Sequence, residues 1–259
     1  MPSKKVYLTL IILMVVFCLV MFLAFGVGNI RQENLESTII VGENTTWTYQ
    51  KMKWVNIRKS STIDQINWTK FHVYENDFEV GNYYAWHDDK WYFFDDKKEA
   101  KSFNGKLFAY SSNYVMEPLQ FQEDEVSDYS YVYHVLQENG LSTSNQFSSI
   151  YKVSLDYDGD KVKEDFYIAS NAFPFDFEPD VTFSFAFMVD NGEIYSLYQD
   201  VSQNNGYNGC KPFYHSFVDT NSDGIYEVIL TCGRYSADDQ VDMIYQFQKG
   251  EFKLLISNQ

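Results

Sequence analysis

The feature that most constrains the fold of this chain is an internal repeat in its last third. The segments VSLDYDGD, from Val153, and SFVDTNSD, from Ser216, share one pattern. Each places acidic or amide residues at the first, third and fifth positions of a loop. A glutamate at the ninth position and an apolar run then follow in both copies. The loops begin 63 residues apart, at Asp156 and Asp219 (219 − 156 = 63).

A second landmark repeats in the same order. Phe187–Ile194 and Tyr245–Phe252 each combine a strand-like run, a glycine-containing turn and another strand-like run, as β-hairpins do. Two landmarks in register indicate two copies of one antiparallel β unit. Residues 146–259 are therefore predicted to form a two-repeat β domain.

The repeated loops are suited to a hard cation. Calcium takes six to eight oxygen ligands, and alternating side chains on a curled backbone direct their oxygens to one centre. Carboxylates gathered without a cation would repel each other. The alternative is two ordinary hairpin turns, because Asp, Asn and Gly are common turn residues. Their repetition in register favours calcium as the cofactor, with ligands from the first loop at Asp156, Asp158, Asp160, the carbonyl of Val162 and Glu164, and from the second at Asp219, Asn221, Asp223, the carbonyl of Ile225 and Glu227.

The loops are not EF-hands, because their twelfth positions are Tyr167 and Leu230 where an EF-hand has a bidentate glutamate. The second loop has Gly224 at its sixth position, whereas the first has Lys161 there. The glycine predicts the better turn geometry for the second loop, whereas the first loop has the higher charge.

The loops resemble the calcium loops of FG-GAP or VCBS-type repeats, the integrin-like propeller repeats with a D-x-D-G-D-G-x-x-D/E core. The resemblance covers the chain from about Tyr151 onward, and the N-terminal half resembles no known family. The resemblance implies that the loops join two strands of a blade and bind calcium. It also implies that the protein is an exported binding or adhesion module. Two repeats cannot close a propeller, which needs about four blades. We therefore expect a mainly β fold with two blade-like repeats and no closed propeller.

The N-terminal sequence predicts the cellular location of the protein. Lys4 and Lys5 precede an apolar run, Val6–Val27, which as a helix is about 33 Å long and can cross a bilayer core of about 30 Å. The lysines favour a cytoplasmic N-terminus. The prediction is a cytoplasmic tail at 1–5, a transmembrane helix at 6–28 and a single-pass cell-membrane protein with its C-terminal domain outside the cytoplasm. A signal peptide cleaved near Ala24-Phe25-Gly26 is the alternative.

Three further segments lie between the membrane segment and the repeats. Residues 29–45 are polar and predict a juxtamembrane spacer. Residues 46–122 contain short aromatic runs separated by turn residues, which predicts an antiparallel β region. Its tryptophans are interpreted as core residues, with sugar stacking as the alternative. Residues 123–145 predict a connecting helix, from the near-helical spacing of Val126, Tyr129, Tyr133 and Leu136.

The acidic composition limits the kinds of partner that this chain can bind. The chain has 36 acidic and 20 basic residues, so nucleic acid is excluded as a partner, whereas cations and basic partners are favoured.

The two cysteines outside the apolar run are predicted to come together. Pairing Val218 with Ile225 in a hairpin would bring Cys210 close to Cys232. We predict a disulfide there, which an exported compartment permits, with two buried thiols as the alternative.

No enzymatic activity is predicted. The histidines are scattered, and no serine or cysteine motif accompanies them. An envelope hydrolase that uses a pair of carboxylates is the less favoured alternative. The predicted role is recognition, scaffolding or adhesion at the cell envelope, with a protein or a cell-wall glycan as partner. The alternative is an accessory subunit of a membrane-bound secretion or envelope-processing complex.

Overall fold

A computed structural model describes residues 37–57, 60–172, 180–202, 210–233 and 240–258. The predicted cytoplasmic tail and transmembrane helix lie outside these residues. Within the described ranges, no helix is both long and apolar enough to cross a membrane. The described strands form three antiparallel sheets, none of them closed, which confirms the predicted mainly β class.

The first sheet has eight strands in the order β3-β2-β1-β8-β4-β5-β6-β7. A short helix, α1 (Ser60–Ile66), precedes β4 and contacts β5. The strands are β1 (Ser37–Val41), β2 (Thr45–Gln50), β3 (Lys53–Asn56), β4 (Lys70–Glu75), β5 (Phe78–His87), β6 (Trp91–Phe94), β7 (Ala100–Lys101) and β8 (Leu107–Ser112).

The position of β1 corrects the predicted spacer at 29–45 over residues 37–45, whereas residues 29–36 lie outside the described ranges. All five residues of β1 are buried, and the strand pairs with β2 on one side and β8 on the other. The reason is its sequence, STIIV, because β-branched residues favour an inner strand. The polar residues before it masked this short run in the sequence.

The second sheet has the order β13-β12-β11-β10-β9. Its strands are β9 (Glu123–Asp124), β10 (Ser149–Leu155), β11 (Glu164–Ser170), β12 (Thr182–Asp190) and β13 (Glu193–Ser202). Helix α2 (Ser130–Glu138) packs on one face of this sheet, where Val132 and Leu136 join a buried cluster with Phe183 and Phe185.

Helix α2 is shorter than the connecting helix predicted for 123–145. Glu123 and Asp124 pair with β10 instead of entering a helix. The helix ends before Gly140, whose φ of +70° suits glycine far better than other residues. Near-helical spacing therefore predicted the existence of the helix but not its bounds.

The third sheet lies between the other two. It is a four-stranded meander of β14 (Lys211–Val218), β15 (Glu227–Gly233), β16 (Val241–Gln248) and β17 (Glu251–Ser257). Val228 and Leu230 of β15 pack in one cluster with second-sheet residues such as Phe166. Ile229, on the opposite face of the strand, packs in another cluster with first-sheet residues such as Trp47. Alternation along one strand thus joins three layers into one core.

The second and third sheets share detailed geometry. The turns Asn191-Gly192 and Lys249-Gly250 both have positive φ at both residues, the pattern of a type I′ hairpin turn. A register shift occurs five residues before each glycine, at Phe187 and at Tyr245. The second sequence landmark therefore occupies equivalent positions in the two sheets.

Candidate cation site

Each repeated loop joins two consecutive, paired strands of its sheet. The first loop runs from Asp156 between β10 and β11, and the second runs from Asp219 between β14 and β15. In both hairpins the residue before the loop pairs with the glutamate at its ninth position, Glu164 or Glu227. The glutamates are therefore strand residues, and the preceding acidic residues curl over them.

Three hydrogen bonds recur at equivalent positions. The aspartate at position one accepts from the backbone N–H of position six, at 3.0 Å in both loops. The aspartate at position five accepts from the N–H of position seven, at 2.7 Å in the first loop and 2.9 Å in the second. The glutamate at position nine accepts from the N–H of position two, at 3.1 Å and 2.7 Å. The side chains predicted as ligands thus shape the loop backbone as well.

The two backbones also share left-handed conformations at positions four and six. These residues are Gly159 and Lys161 in the first loop and Ser222 and Gly224 in the second. Each loop thus has one glycine and one strained residue, at exchanged positions. The prediction of better turn geometry for the second loop is therefore wrong, because the first places its glycine at the other left-handed position.

The first loop brings three carboxylates together. Ligand oxygens of Asp156, Asp158 and Glu164 all lie within 4.8 Å of one another. Asp160 lies outside this group, and its carboxylate accepts the hydrogen bond from Val162 N. Three carboxylates at this spacing form a partial shell for a hard cation, which carbonyls and water can complete.

Burial sets the electrostatics of Glu164. Its side chain is 2% exposed, and this burial is the main cause that raises its pKa to about 7. The hydrogen bond from Tyr157 N opposes the shift, whereas the nearby carboxylates of Asp158 and Asp190 add to it. A bound cation would remove this repulsion and favour the ionised glutamate.

The second loop satisfies its glutamate internally. Glu227 is 0% exposed, and burial raises its pKa to about 7. Its Oε2 accepts from both Thr220 N and Thr220 Oγ1 at 2.7 Å, and its Oε1 accepts from Asn221 Nδ2 at 3.0 Å. The second loop thus has the amide of Asn221 at position three, where the first loop has the carboxylate of Asp158. Across the described ranges, no comparable acidic group forms at this second loop.

The two loops are neighbours. Tyr226 N donates to Tyr157 O at 2.9 Å, which links the end of one loop to the start of the other. Tyr114 adds a further support, because its hydroxyl donates to Thr220 O at 2.6 Å. Neither Thr220 nor Tyr114 was identified from the sequence. Thr220 replaces the tyrosine of the first loop, and that difference was the only available signal.

A disulfide joins Cys210 and Cys232, whose Cα atoms lie 5.3 Å apart. The predicted hairpin register is wrong, because Val218 pairs with Glu227 rather than with Ile225. The loop needs its full eight residues to curl over the glutamate. A register shift at Tyr214/Ser216 then realigns β14 so that the cysteines meet.

The tryptophans divide into two groups. Trp47, Trp54 and Trp91 are buried, in agreement with the core interpretation. Trp68 is 50% exposed and Trp86 is half-buried, so these two reach solvent.

His215 is buried on β14, where its Nδ1 lies 3.0 Å from Ser216 Oγ, and Ser216 Oγ donates to Asp77 at 3.0 Å. Burial lowers the pKa of His215 to about 3, so this ring is neutral and structural at physiological pH.

Compared with known proteins, the chain matches no family model, no curated protein and no solved structure. The resemblance to FG-GAP or VCBS repeats therefore depends on the loop residues alone and stays a prediction.

Proposed function

We propose that this chain is a membrane-anchored, extracytoplasmic β protein whose first loop binds calcium. The ion would hold β10 and β11 in register, and the domain would act in recognition, scaffolding or adhesion at the cell envelope. The observation that carries the proposal is the convergence of Asp156, Asp158 and Glu164 within 4.8 Å.

The chemistry of the donors favours calcium over other metals. All three side chains are carboxylates, whereas zinc and copper sites use histidine or cysteine. Calcium also tolerates irregular shells with bidentate carboxylates and carbonyls, whereas magnesium requires a nearly ideal octahedron. A surface loop with one buried and two more accessible carboxylates suits the larger ion.

The disulfide supports the exported location. Disulfides persist in oxidising compartments and are rare in the cytosol. The Cys210–Cys232 bridge spans 22 residues and encloses the second loop, so it fixes the hairpin beside the candidate site.

Thermal unfolding of the full chain in detergent tests the proposal. A ligand at 100 times its Kd stabilises the native state by about 2.7 kcal/mol, which for a domain of this size raises Tm by roughly 5–10 °C. We expect calcium to produce such a rise after chelator treatment. The rise should be absent from Asp156→Asn/Asp158→Asn and retained in the matched second-loop variant Asp219→Asn/Asp223→Asn. An equal rise in both variants would refute the assignment to the first loop.

A further inference from the structure

Asparagine is followed by glycine at five places in the chain, and three of these pairs lie within the described ranges, at 104–105, 139–140 and 191–192. A glycine after asparagine favours deamidation, because no side chain hinders the attack of its backbone nitrogen on the asparagine amide carbon. The reaction needs a glycine nitrogen without a hydrogen-bond acceptor and a side-chain amide that can move toward it. The three pairs differ in both respects.

The first pair has its glycine nitrogen bound to a carboxylate. Gly105 N donates to Glu75 Oε1 at 2.9 Å, and Asn104 N donates to the same oxygen at 2.5 Å. The site is also crowded, because a Cβ at Gly105 would overlap the side chain of Asn76. Attack by Gly105 N therefore requires the loss of a charge-assisted hydrogen bond, which is stronger than a bond between neutral groups.

The second pair is bound at the C-terminal end of α2. Gly140 N donates to Gln137 O at 3.0 Å. Asn139 Nδ2 donates to Val135 O at 2.8 Å, and Asn139 Oδ1 accepts a hydrogen bond from Gln199 on β13. Both reacting groups of this pair are therefore held by neighbouring elements.

The third pair forms the type I′ turn between β12 and β13. Within the part of the chain that the structure describes, Gly192 N donates to no acceptor. Asn191 and Gly192 are both exposed, and Asn191 Nδ2 donates to Asp190 Oδ1 at 2.8 Å. This acceptor belongs to the same turn, so the amide is not tied to another element. The third pair therefore meets both requirements.

The position of this turn also favours local opening. Asp190 pairs with Glu193 at the very end of the ladder between β12 and β13. Exposed hairpin ends open at a lower free energy than buried strands. The rotation that brings Asn191 Cγ to Gly192 N therefore requires only that the last pair of the ladder opens.

We propose that Asn191 is a site of spontaneous deamidation in the folded protein. Gly192 N loses its proton and forms a bond to Asn191 Cγ, the bond from Cγ to Nδ2 breaks, and the amide nitrogen leaves as ammonia. Water then opens the succinimide ring at either carbonyl and leaves an aspartyl or an isoaspartyl residue at position 191. The sequence of steps consumes one water, releases one ammonia and involves no oxidation or reduction.

The product would change the surroundings of the first loop and of α2. Burial is the main cause that raises the pKa of Glu164, and the carboxylate of Asp190 adds to the shift, so the turn lies near the first loop. A Cβ at Gly192 would lie 3.9 Å from the Tyr131 hydroxyl of α2. Deamidation adds a negative charge here, and the isoaspartyl form also adds a methylene to the main chain of the turn. The inference is independent of calcium binding and of membrane anchoring.

Peptide mapping of the full chain in detergent tests the proposal. The chain is incubated at mildly alkaline pH, folded or in urea, and cleaved with chymotrypsin, because aromatic residues separate all five pairs. Mass spectrometry then follows deamidation of each peptide with time. In the folded chain we expect Asn191 to react about fivefold faster than Asn139 and about tenfold faster than Asn104, because their glycine hydrogen bonds must open first. In urea the three rates should converge.

Two variants serve as controls. Asn191→Gln should abolish the product in its peptide. Glu75→Ala removes the acceptor of Gly105 N, so it should raise the rate at Asn104 in the folded chain and leave the rate at Asn191 unchanged. Equal rates at the three sites of the folded chain, or a slower rate at Asn191, would overturn the proposal. An unchanged rate at Asn104 in Glu75→Ala would also overturn it, because hydrogen bonding of the glycine nitrogen would then not determine the order of the rates.

Discussion

Replacing Glu164 with glutamine should separate two effects in the first loop. One is the destabilisation caused by a buried carboxylate, and the other is the stabilisation by the proposed cation. The glutamine side chain keeps an oxygen for the hydrogen bond from Tyr157 N. Its amide nitrogen would face nearby carboxylates instead of adding a further negative charge. The substitution therefore removes the buried charge and retains the shape of the side chain.

The magnitude follows from the pKa of Glu164. The pKa is about 7 in the folded protein against an ordinary 4.5, so the folded state binds more protons between these values. Stability without a cation therefore falls as pH rises from about 4.5 to about 7. The full shift corresponds to about 3 kcal/mol. Because the loop around the glutamate is open to solvent, we expect about 1 kcal/mol from this residue.

Urea unfolding at pH 5 and pH 8 measures this effect in the presence of chelator. We expect Glu164→Gln to be more stable than the wild type at pH 8 by about 1 kcal/mol, and equal to it at pH 5 within about 0.5 kcal/mol. Calcium should then stabilise the wild type at pH 8 but not the variant. A variant less stable than the wild type at pH 8 in chelator would refute the reasoning, because Glu164 would then act mainly as a hydrogen-bond acceptor.

Three further predictions concern the second loop and the core. Asn221→Asp removes the amide donor to Glu227, so we expect a loss of about 1–2 kcal/mol in chelator and an additional calcium equivalent by calorimetry; unchanged stoichiometry would contradict the comparison of the two loops. Asp242→Ala removes the buried acceptor of hydrogen bonds from four side chains and should cost about 2–4 kcal/mol in urea unfolding, whereas a loss below about 1 kcal/mol would show that the contact contributes little. Phe166→Ala should cost about 3–5 kcal/mol, whereas Phe78→Ala, at a residue 58% exposed, should cost under about 0.5 kcal/mol; similar losses would contradict the core assignment.

The repeat was accessible from the sequence because its geometry depends on local chemistry. Aspartates at positions one and five bind backbone N–H groups two to five residues away, so spacing alone predicts the curl of each loop. The type I′ turns are likewise local, since Asn191-Gly192 is a favoured pair for positive φ.

Features that depend on distant partners could not be read in the same way. The burial of β1 depends on β8, which lies about 70 residues further along the chain. The difference between the loops depends on whether Asn221 turns its nitrogen or its oxygen toward Glu227, which spacing does not reveal. The exposure of Trp68 and Trp86 depends on how β4, β5 and β6 pair, because composition alone does not separate these two residues from the buried tryptophans.

Calorimetric titration of calcium into the chelator-treated full chain tests the central claim most directly. We expect saturable binding of one ion per chain, with a Kd of about 10⁻⁴–10⁻³ M as in extracellular modules. The heat should vanish in Asp156→Asn/Asp158→Asn and persist in Asp219→Asn/Asp223→Asn. No saturable heat at millimolar calcium, or undiminished heat in the first-loop variant, would contradict a calcium site formed by Asp156, Asp158 and Glu164.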